Sequence, residues 1–157
     1  MTGAKFNFSN IDELKRNREI EGTVGIHLKY TDEIYLHVLA ISDANPRWTK
    51  KAKDAFAELN RLENIGASEE ERARRFAQLL TETIVLNWHG GLNDDGTFKE
   101  GGPRDQDGRF VPFTPEACTA FLSEADDIVE DLLKRCRETR NFRVQRAKAI
   151  AEQIKND

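Results

Sequence analysis

The pattern of apolar positions changes along the chain, and the first part of it alternates with a period of two. From Thr23 to Ile41 the alternation is interrupted only by a turn at 31–33. It predicts a β-hairpin over residues 23–41 with its even-numbered side chains buried. Those side chains are Val24, Ile26, Leu28, Tyr30, Ile34, Leu36, Val38 and Ala40. An antiparallel register then places His27 and His37 together on the opposite, solvated face.

Beyond the hairpin the apolar spacing becomes helical. Asn45-Pro46 predicts a helix start with an Asn N-cap, and Ser68 begins a second helix through a capping box. The first helix is expected to end at Gly66 and the second to run on to Trp88, where Gly90-Gly91 supplies the stop. The first apolar stripe comprises Trp48, Ala52, Ala55, Phe56, Leu59 and Leu62, and the second comprises Ala73, Phe76, Ala77, Leu80, Ile84 and Trp88. A short loop joins the helices, so we predict an antiparallel pair.

Two further helices are predicted in the C-terminal half. Thr114-Pro115-Glu116 repeats the pattern of a cap followed by proline, and another helical segment starts near Asp126. Beyond Cys136 the apolar stripe weakens, because the helical continuation reaches Arg140 and Arg143. The last residues therefore form either a helix that leaves the core or one that is incomplete without a partner.

The length of 157 residues suits one ordinary domain. We divide the chain into an N-terminal arm (1–20) with a short helix after Ser9, a single domain (21–142) and a basic helical C-terminal extension (143–157). The predicted fold class is mainly α with a small N-terminal β-hairpin, an α+β arrangement. Its four or more helices comprise an antiparallel pair followed by capped C-terminal helices.

Charge and hydropathy narrow the classes of partner. The net charge of −4 gives no reason to expect a nucleic-acid or membrane partner. There is no signal-peptide pattern at the N-terminus and no apolar run long enough to cross a bilayer, so we expect a soluble cytosolic protein. In that reducing compartment Cys118 and Cys136 are expected to be free core thiols. A nucleic-acid binder using the basic residues from 134 to 148 is disfavoured, since only Phe142 there could stack on a base.

Between the second and third helices lies the stretch NDDGTFKEGGPRDQDGRFVPFTPE, in which Asp-Gly-x-Phe occurs twice. An EF-hand loop needs a bidentate Glu at its twelfth position, but the two copies have Gly102 and Thr114 there. The histidine pair of the hairpin has no Cys or carboxylate nearby to complete a zinc site. No nucleophile, base and orienting group are assembled, so we expect neither an enzyme nor a cofactor.

Turn chemistry explains the two Asp-Gly copies better. Gly accepts positive φ and Asp bonds its own backbone, so each copy places an aromatic residue, Phe98 or Phe110, directly after a turn. The residues from Phe110 to Phe113 are then expected to run extended and deliver aromatic anchors into the groove between helices. The insert from Lys99 to Arg104 is expected to be exposed and mobile.

The order of these segments carries more information than any one of them. A helix ending at Val85-Leu86-Asn87-Trp88 precedes an Asp/Gly segment, then the stretch 107–116, a short helix, and a longer helix closing at Arg140-Asn141-Phe142. This order resembles the tail assembly chaperones of long-tailed, siphovirus-type bacteriophages, best over residues 80–142. The insert from Gly91 to Arg104 is longer than is usual in that family. The matching motif residues are Trp88, Gly108, Phe110, Pro112, Phe113, Pro115 and Phe142.

The resemblance implies a non-enzymatic factor of the host cell cytoplasm that is absent from the mature virion. It implies that the chain binds the tape measure protein and helps recruit tail tube protein subunits, with a homo-oligomer adding avidity. The alternative is a structural virion protein, such as a tail completion or head-tail connector subunit. For the partner surface we expect an acidic helix to bind the basic residues Arg137, Arg140, Arg143 and Arg146.

Many members of that family are also made in a longer form by ribosomal frameshifting. Here Ile154-Lys155-Asn156 could be encoded ATA-AAA-AAC, which contains a slippery heptamer in the correct phase. Reading the gene over these codons tests the idea, because AAG at Lys155 removes the heptamer.

Overall fold

The computed structural model describes residues 15–143 together with Phe6, Ser9, Ile11 and Ile154. Within this part of the chain the strands are β1 (Ile26–Lys29), β2 (Tyr35–Val38) and β3 (Val85–His89). The α-helices are α1 (Pro46–Asn64), α2 (Glu69–Thr83), α3 (Pro115–Glu124) and α4 (Asp126–Arg137). A π-helical turn (Ile20–Val24) precedes β1, and a 3₁₀ turn (Thr139–Phe142) follows α4. The predicted class, mainly α with a small N-terminal sheet, is confirmed.

The sheet has three antiparallel strands in the order β1-β2-β3, with β2 in the centre. The predicted hairpin is present between β1 and β2, and His27 pairs directly with His37. Its even-numbered residues Ile26, Leu28, Leu36 and Val38 are buried, as predicted. The alternation fails at its start and again at Tyr35 and Leu39, two odd-numbered residues that are also buried. Val24 lies in the π-helical turn and is half exposed, because Gly25 with a φ of 75° turns the chain immediately before β1.

Strand β3 corrects the prediction that the second helix continues to Trp88. The helix ends at Thr83, and the residues that follow pair with β2, Leu36 opposite Trp88 and Tyr35 opposite His89. Leu80, Ile84 and Trp88 do follow helical spacing, which is why the sequence pattern suggested one helix. Pairing with β2 satisfies the backbone groups of this segment equally well and also buries its side chains. Gly90-Gly91 therefore follows a strand and does not cap a helix.

The core lies between the sheet and the helices α2, α3 and α4. Its fully buried side chains include Leu36, Leu80, Ile84, Leu132 and Phe142. Cys118 and Cys136 are free thiols within the same cluster, as predicted. Burial raises the pKa of Cys118 to about 11 and that of Cys136 to about 12, so both stay protonated at neutral pH.

Side-chain caps fix the starts of α1, α2 and α3, as the sequence predicted. Asn45 Oδ1 accepts hydrogen bonds from the Arg47 and Trp48 amides, and Ser68 Oγ accepts from the Glu71 amide. Thr114 Oγ1 accepts from the Ala117 amide at the start of α3. These bonds satisfy amides that a helix leaves without partners in its first turn.

The two Asp-Gly copies form a repeated structure with an offset of twelve residues. In the first hairpin loop (90–99) Leu92 bridges Phe98, and in the second hairpin loop (102–111) Arg104 bridges Phe110. The tip glycines, Gly96 and Gly108, have φ of 86° and 78°. Both loops are thus built as tight turns, which agrees with the predicted turn chemistry.

The insert between the two tips differs from the prediction. Lys99 and Glu100 are exposed, but Gly101 and Gly102 are buried. The Gly102 amide donates to the Glu33 carbonyl at 2.7 Å, and a Cβ on Gly102 would lie 2.5 Å from Trp88 Cδ1. Glycine is needed here because the backbone passes directly over the Trp88 ring.

Two of the predicted segments lie at the ends of the chain. The helix predicted after Ser9, and the C-terminal extension beyond Arg143 apart from Ile154, lie outside the described residues. Every helix in the described part of the chain is too short or too polar to cross a membrane.

Candidate partner-binding surface

Helix α1 lies at the edge of the core and carries an apolar stripe that is only partly covered. Its packing partner among the described residues is α2, and Ala55 is its one buried residue. The rings of Trp48, Phe56 and Phe76 lie in a row, with centroid separations of 6.0 Å and 6.5 Å, and we name these three residues the aromatic face. Phe56 is 41% exposed, and Ile65 at the end of the helix is 65% exposed. Trp48 and Phe76 are partly buried and pack against the core, so Phe56 is the member of the aromatic face that is most accessible within the described part of the molecule.

The α1–α2 pair is held firmly at the end nearest the core. Asn45 is fully buried, and its Nδ2 donates to the carbonyls of Ala40 and Thr83 at 2.8 Å and 2.9 Å. One side chain therefore joins the start of α1, the segment after β2 and the end of α2. Lys51 and Glu82 add an ion pair at 3.5 Å between the two helices. The opposite end, where Gly66 connects the helices with a φ of 75°, is exposed.

A groove of roughly 580 Å³ runs along the other side of α2. It is bounded by Leu62 of α1 and by Pro115 and Thr119 of α3, and its floor is the polar side of α2. Charges of both signs line it, including Arg74, Arg75, Glu71, Glu82 and Glu116. Without a dominant charge or an apolar floor, this groove is less suited to an amphipathic helix than the aromatic face.

The predicted basic residues lie at the end of α4 and just beyond it. Arg137 is exposed at the last position of α4, and Arg140 in the 3₁₀ turn pairs with Glu138 at 3.0 Å. Arg143 is partly buried, and its Nε has no hydrogen-bond partner among the described residues. Arg146 lies outside the described residues. Positive charge at a helix C-terminus also stabilises the helix dipole, which gives Arg137 a local role.

The motif residues fall into a buried group and a surface group. Trp88 is 5% exposed, donates from Nε1 to the Val111 carbonyl at 2.9 Å, and meets Phe113 edge to face at 5.0 Å. Phe142 is fully buried. Pro115 is the first residue of α3, whereas Pro112 and Gly108 are exposed.

Phe110 does not enter a groove between helices, as the sequence suggested. Its ring lies 3.9 Å from the Arg104 guanidinium carbon, in a cation–π contact. Arg104 also forms a bidentate pair with Glu33, with its nitrogens 2.8 Å and 2.9 Å from the carboxylate oxygens. The second hairpin loop is thereby fixed to the turn between β1 and β2. Phe113 does pack against the core, but on Trp88 of β3, and the anchoring predicted for Phe110 is wrong.

The histidine face of the sheet is covered, contrary to the prediction of a solvated face. The protein has three histidines, and all of them lie here. His27 and His37 stack with centroids 4.2 Å apart, and His89 Nε2 lies 2.8 Å from His27 Nδ1. Phe98 of the first hairpin loop stacks on His89 at 4.3 Å and lies 5.2 Å from His27. We name His27, His37 and His89 the histidine cluster.

Hydrogen bonds fix the tautomers of the cluster. The Gly91 amide donates to His89 Nδ1 at 2.9 Å, so the proton of a neutral His89 is on Nε2. That N–H can donate to His27 Nδ1, and His37 Nε2 donates to the Val24 carbonyl at 2.8 Å. Burial and the neighbouring imidazoles of His37 and His89 lower the pKa of His27 to about 3. Burial lowers the pKa of His89 to about 4.

The sequence did not assign His89 to this cluster, because it placed the residue just past a helix end. Reading 85–89 as a strand would have given the signal, because Asn87 and His89 then lie on one face beside β2. Within residues 15–143 and the four isolated described positions, no group of three or more His, Cys, Asp or Glu side chains is arranged to hold a metal ion.

The comparisons with known proteins agree with a phage origin. The model of one family, described as YdaY prophage protein, matches residues 40–153, which is well over half of the 157 residues. No curated protein and no solved structure gave a match. The matched region runs from the end of the β1–β2 hairpin through all four α-helices of the described chain. The chain therefore belongs to the YdaY prophage protein family.

Proposed function

We propose that this prophage protein is a tail assembly chaperone that binds the tape measure protein and helps recruit tail tube subunits around it. The observation that carries the proposal is the aromatic face on α1 and α2, in which Phe56 is exposed beside the partly buried rings of Trp48 and Phe76. Membership in a prophage family supports the phage context. The order of motif residues from Trp88 to Phe142 supports the choice of tail assembly.

The chemistry of the aromatic face fits a helical partner. Amphipathic helices bind by laying an apolar stripe into an apolar groove, with anchors spaced by three or four residues. Trp48, Ala52 and Phe56 follow that spacing on α1, and Phe76 extends the surface onto α2. A tape measure protein is a long helical chain whose apolar stripes aggregate when they are left uncovered. A chaperone that covers one stripe at a time, in many copies, would keep such a chain soluble.

The rigid attachment of α1 favours binding without a large ordering cost. Because Asn45 and the Lys51–Glu82 pair hold the helix in place, the aromatic face is formed before a partner arrives. Preorganisation of this kind lowers the entropy lost on association. The protein acts here as a non-enzymatic factor of the host cell cytoplasm, and it is expected to be absent from the mature virion.

The proposal is tested by co-expression with the tape measure protein of the same prophage. Phe56→Glu places a charge in the aromatic face and should reduce co-purified tape measure protein at least tenfold. Ala57→Glu is the matched control, since it adds the same charge one residue further on, at an exposed position about 100° around the axis of α1 from Phe56. Both variants should keep the far-UV circular dichroism of the wild type. Equal recovery with Phe56→Glu and with the wild type would refute a role for the aromatic face.

The basic residues are tested separately. Charge reversal at Arg137, Arg140, Arg143 and Arg146 should weaken co-purification and leave the domain folded, if they meet an acidic helix of the partner. Unchanged co-purification would remove these residues from the binding surface while leaving the proposal for the aromatic face intact.

A structural virion protein remains the competing function. Mass spectrometry of purified virions separates the two, because a chaperone is absent from them and a structural subunit is present in stoichiometric amount. Detection at one copy or more per tail ring would overturn the chaperone assignment.

A further inference from the structure

The two hairpin loops share a backbone design but are attached to the sheet by different chemistry. Both close through a bond between corresponding residues, Asn93 N to Thr97 O at 2.7 Å and Asp105 N to Arg109 O at 2.8 Å. The first loop rests on the histidine cluster through Phe98. The second is held by the Arg104–Glu33 ion pair. The chain thus contains its own matched pair of loops.

We propose that the histidine cluster is a proton-sensitive latch that holds the first hairpin loop on the sheet and releases it when an imidazole takes up a proton. The proposal goes beyond tail assembly and does not depend on it. Its basis is the arrangement of the hydrogen bonds around His89 and His27.

The closed arrangement needs both imidazoles to be uncharged. His89 Nδ1 accepts from the Gly91 amide, so a proton on that atom would face an N–H donor at 2.9 Å. His27 Nδ1 accepts from His89 Nε2, so a proton there would face a second donor at 2.8 Å. His37, stacked on His27 at 4.2 Å, would meet any charge on His27 directly. Each protonation therefore removes a hydrogen bond and introduces repulsion.

The surroundings contain little that would stabilise an imidazolium. From β2, Tyr35 stacks on His89 at 5.4 Å, and from the first loop Phe98 covers His89 and His27. Lys29 of β1 lies on the same face as His27, with its Nζ 5.9 Å from the Tyr35 ring centroid and 3.3 Å from Asp32 Oδ1. The charged residues Lys99 and Glu100 of the loop are exposed. Burial and the other imidazoles accordingly lower the pKa of His27 and His89.

The sign of the pH dependence follows from these lowered pKa values. An imidazole has a pKa of about 6.5 when the loop is open. The closed loop is therefore fully favoured above that pH, and the preference is lost as the pH falls from about 6.5 towards the closed-state values of about 4 for His89 and about 3 for His27. At pH 5 the opening constant should rise roughly 30-fold for each histidine, relative to pH 7.5.

Hydrogen exchange measured by mass spectrometry tests the latch on the full chain. Labelling times at pH 7.5 and pH 5 are scaled for the intrinsic exchange rates, and protection is compared between peptides covering 90–99 and 102–111. Because two histidines contribute, we expect the first loop to lose at least about 100-fold in protection at pH 5 and the second to change less than about twofold. Equal loss in both loops would indicate general acid destabilisation and overturn the proposal, as would unchanged protection in the first loop.

An imidazole titration by NMR tests the protonation states of the closed loop directly. With only three histidines, their ring signals can be assigned through His27→Gln and His37→Gln. We expect His27 and His89 to be neutral at pH 6, with the His89 proton on Nε2. A midpoint near 6.5 for both residues would contradict the latch. His27→Gln keeps an acceptor for His89 but removes one titrating group. Between pH 7.5 and pH 5 the first loop of this variant should therefore lose roughly 30-fold less protection than the first loop of the wild type.

Discussion

Asn45 offers the sharpest test of how the α1–α2 pair is held in place. Its Oδ1 caps α1 by accepting from the Arg47 and Trp48 amides, and its Nδ2 donates to the Ala40 and Thr83 carbonyls. Asn45→Ala removes the cap, which costs about 1 kcal/mol. It also leaves two carbonyls without their donor in a fully buried position, at about 1 kcal/mol each. The expected loss in the free energy of unfolding is therefore about 3 kcal/mol.

Urea denaturation followed by far-UV circular dichroism measures this loss, provided that the m-value is unchanged. Ser68→Ala is the matched control, because Ser68 caps α2 through one bond at an exposed position and should cost only about 1 kcal/mol. Asn45→Asp keeps the acceptor for the cap but directs a carboxylate at two carbonyl oxygens, so it should destabilise at least as much as Asn45→Ala. If Asn45→Ala proves no more costly than Ser68→Ala, the buried bonds contribute nothing and the reasoning fails.

Two further predictions concern tight contacts elsewhere in the fold. Gly102→Ala should cost about 2 kcal/mol more than Gly108→Ala and should change the tryptophan fluorescence, because only at Gly102 would the new Cβ meet the Trp88 ring; equal urea midpoints would contradict this. Burial acts to raise the pKa of Glu21, but hydrogen bonds from Arg16 and Ser42, together with the positive charges of Arg16 and Arg18, outweigh burial and lower that pKa from its usual value of 4.5. Arg16→Gln should thus lower the free energy of unfolding by about 2 kcal/mol at pH 7. This loss is smaller than for a fully buried ion pair because Arg16 is partly exposed. The difference in stability from the wild type should shrink as the pH falls below about 4.5, where Glu21 takes up a proton. A difference that stays constant down to pH 3 would show that the ion pair is not its source.

The sequence predicted correctly those parts of the fold that depend on contacts between residues close together in the chain. Caps at Asn45, Ser68 and Thr114 depend on a side chain reaching an amide two or three positions away. The pairing of His27 with His37 followed from alternation and one short turn. The segment from Val85 to His89 was mistaken for helix, because its local spacing suits a helix while its partner, β2, lies some fifty residues earlier in the chain.

For the candidate surfaces, too, the sequence predicted local features, and the tertiary structure decided which residues are exposed and which are covered. The sequence identified Phe56 as part of a stripe on α1. The tertiary structure decided that Trp48 of this stripe packs against the core, whereas Phe56 stays exposed. Phe98 was expected at a defined point after a turn, yet its position on His89 depends on how the first loop folds back over β3. The Gly101–Gly102 insert looked like an exposed linker, since glycine-rich sequence gives no sign of the buried Trp88 ring beside it.

By itself the sequence determined the class of the fold, the starts of the four described helices and the turn chemistry of the repeated Asp-Gly copies, because these depend on local hydrogen bonds and on the period of apolar residues. The tertiary structure decided that a third strand completes the sheet, that three histidines meet beneath Phe98, and that Phe56 of the aromatic face stays exposed within the described chain. Those features arise from contacts between segments far apart in sequence, whose free energy depends on mutual burial and not on any local pattern.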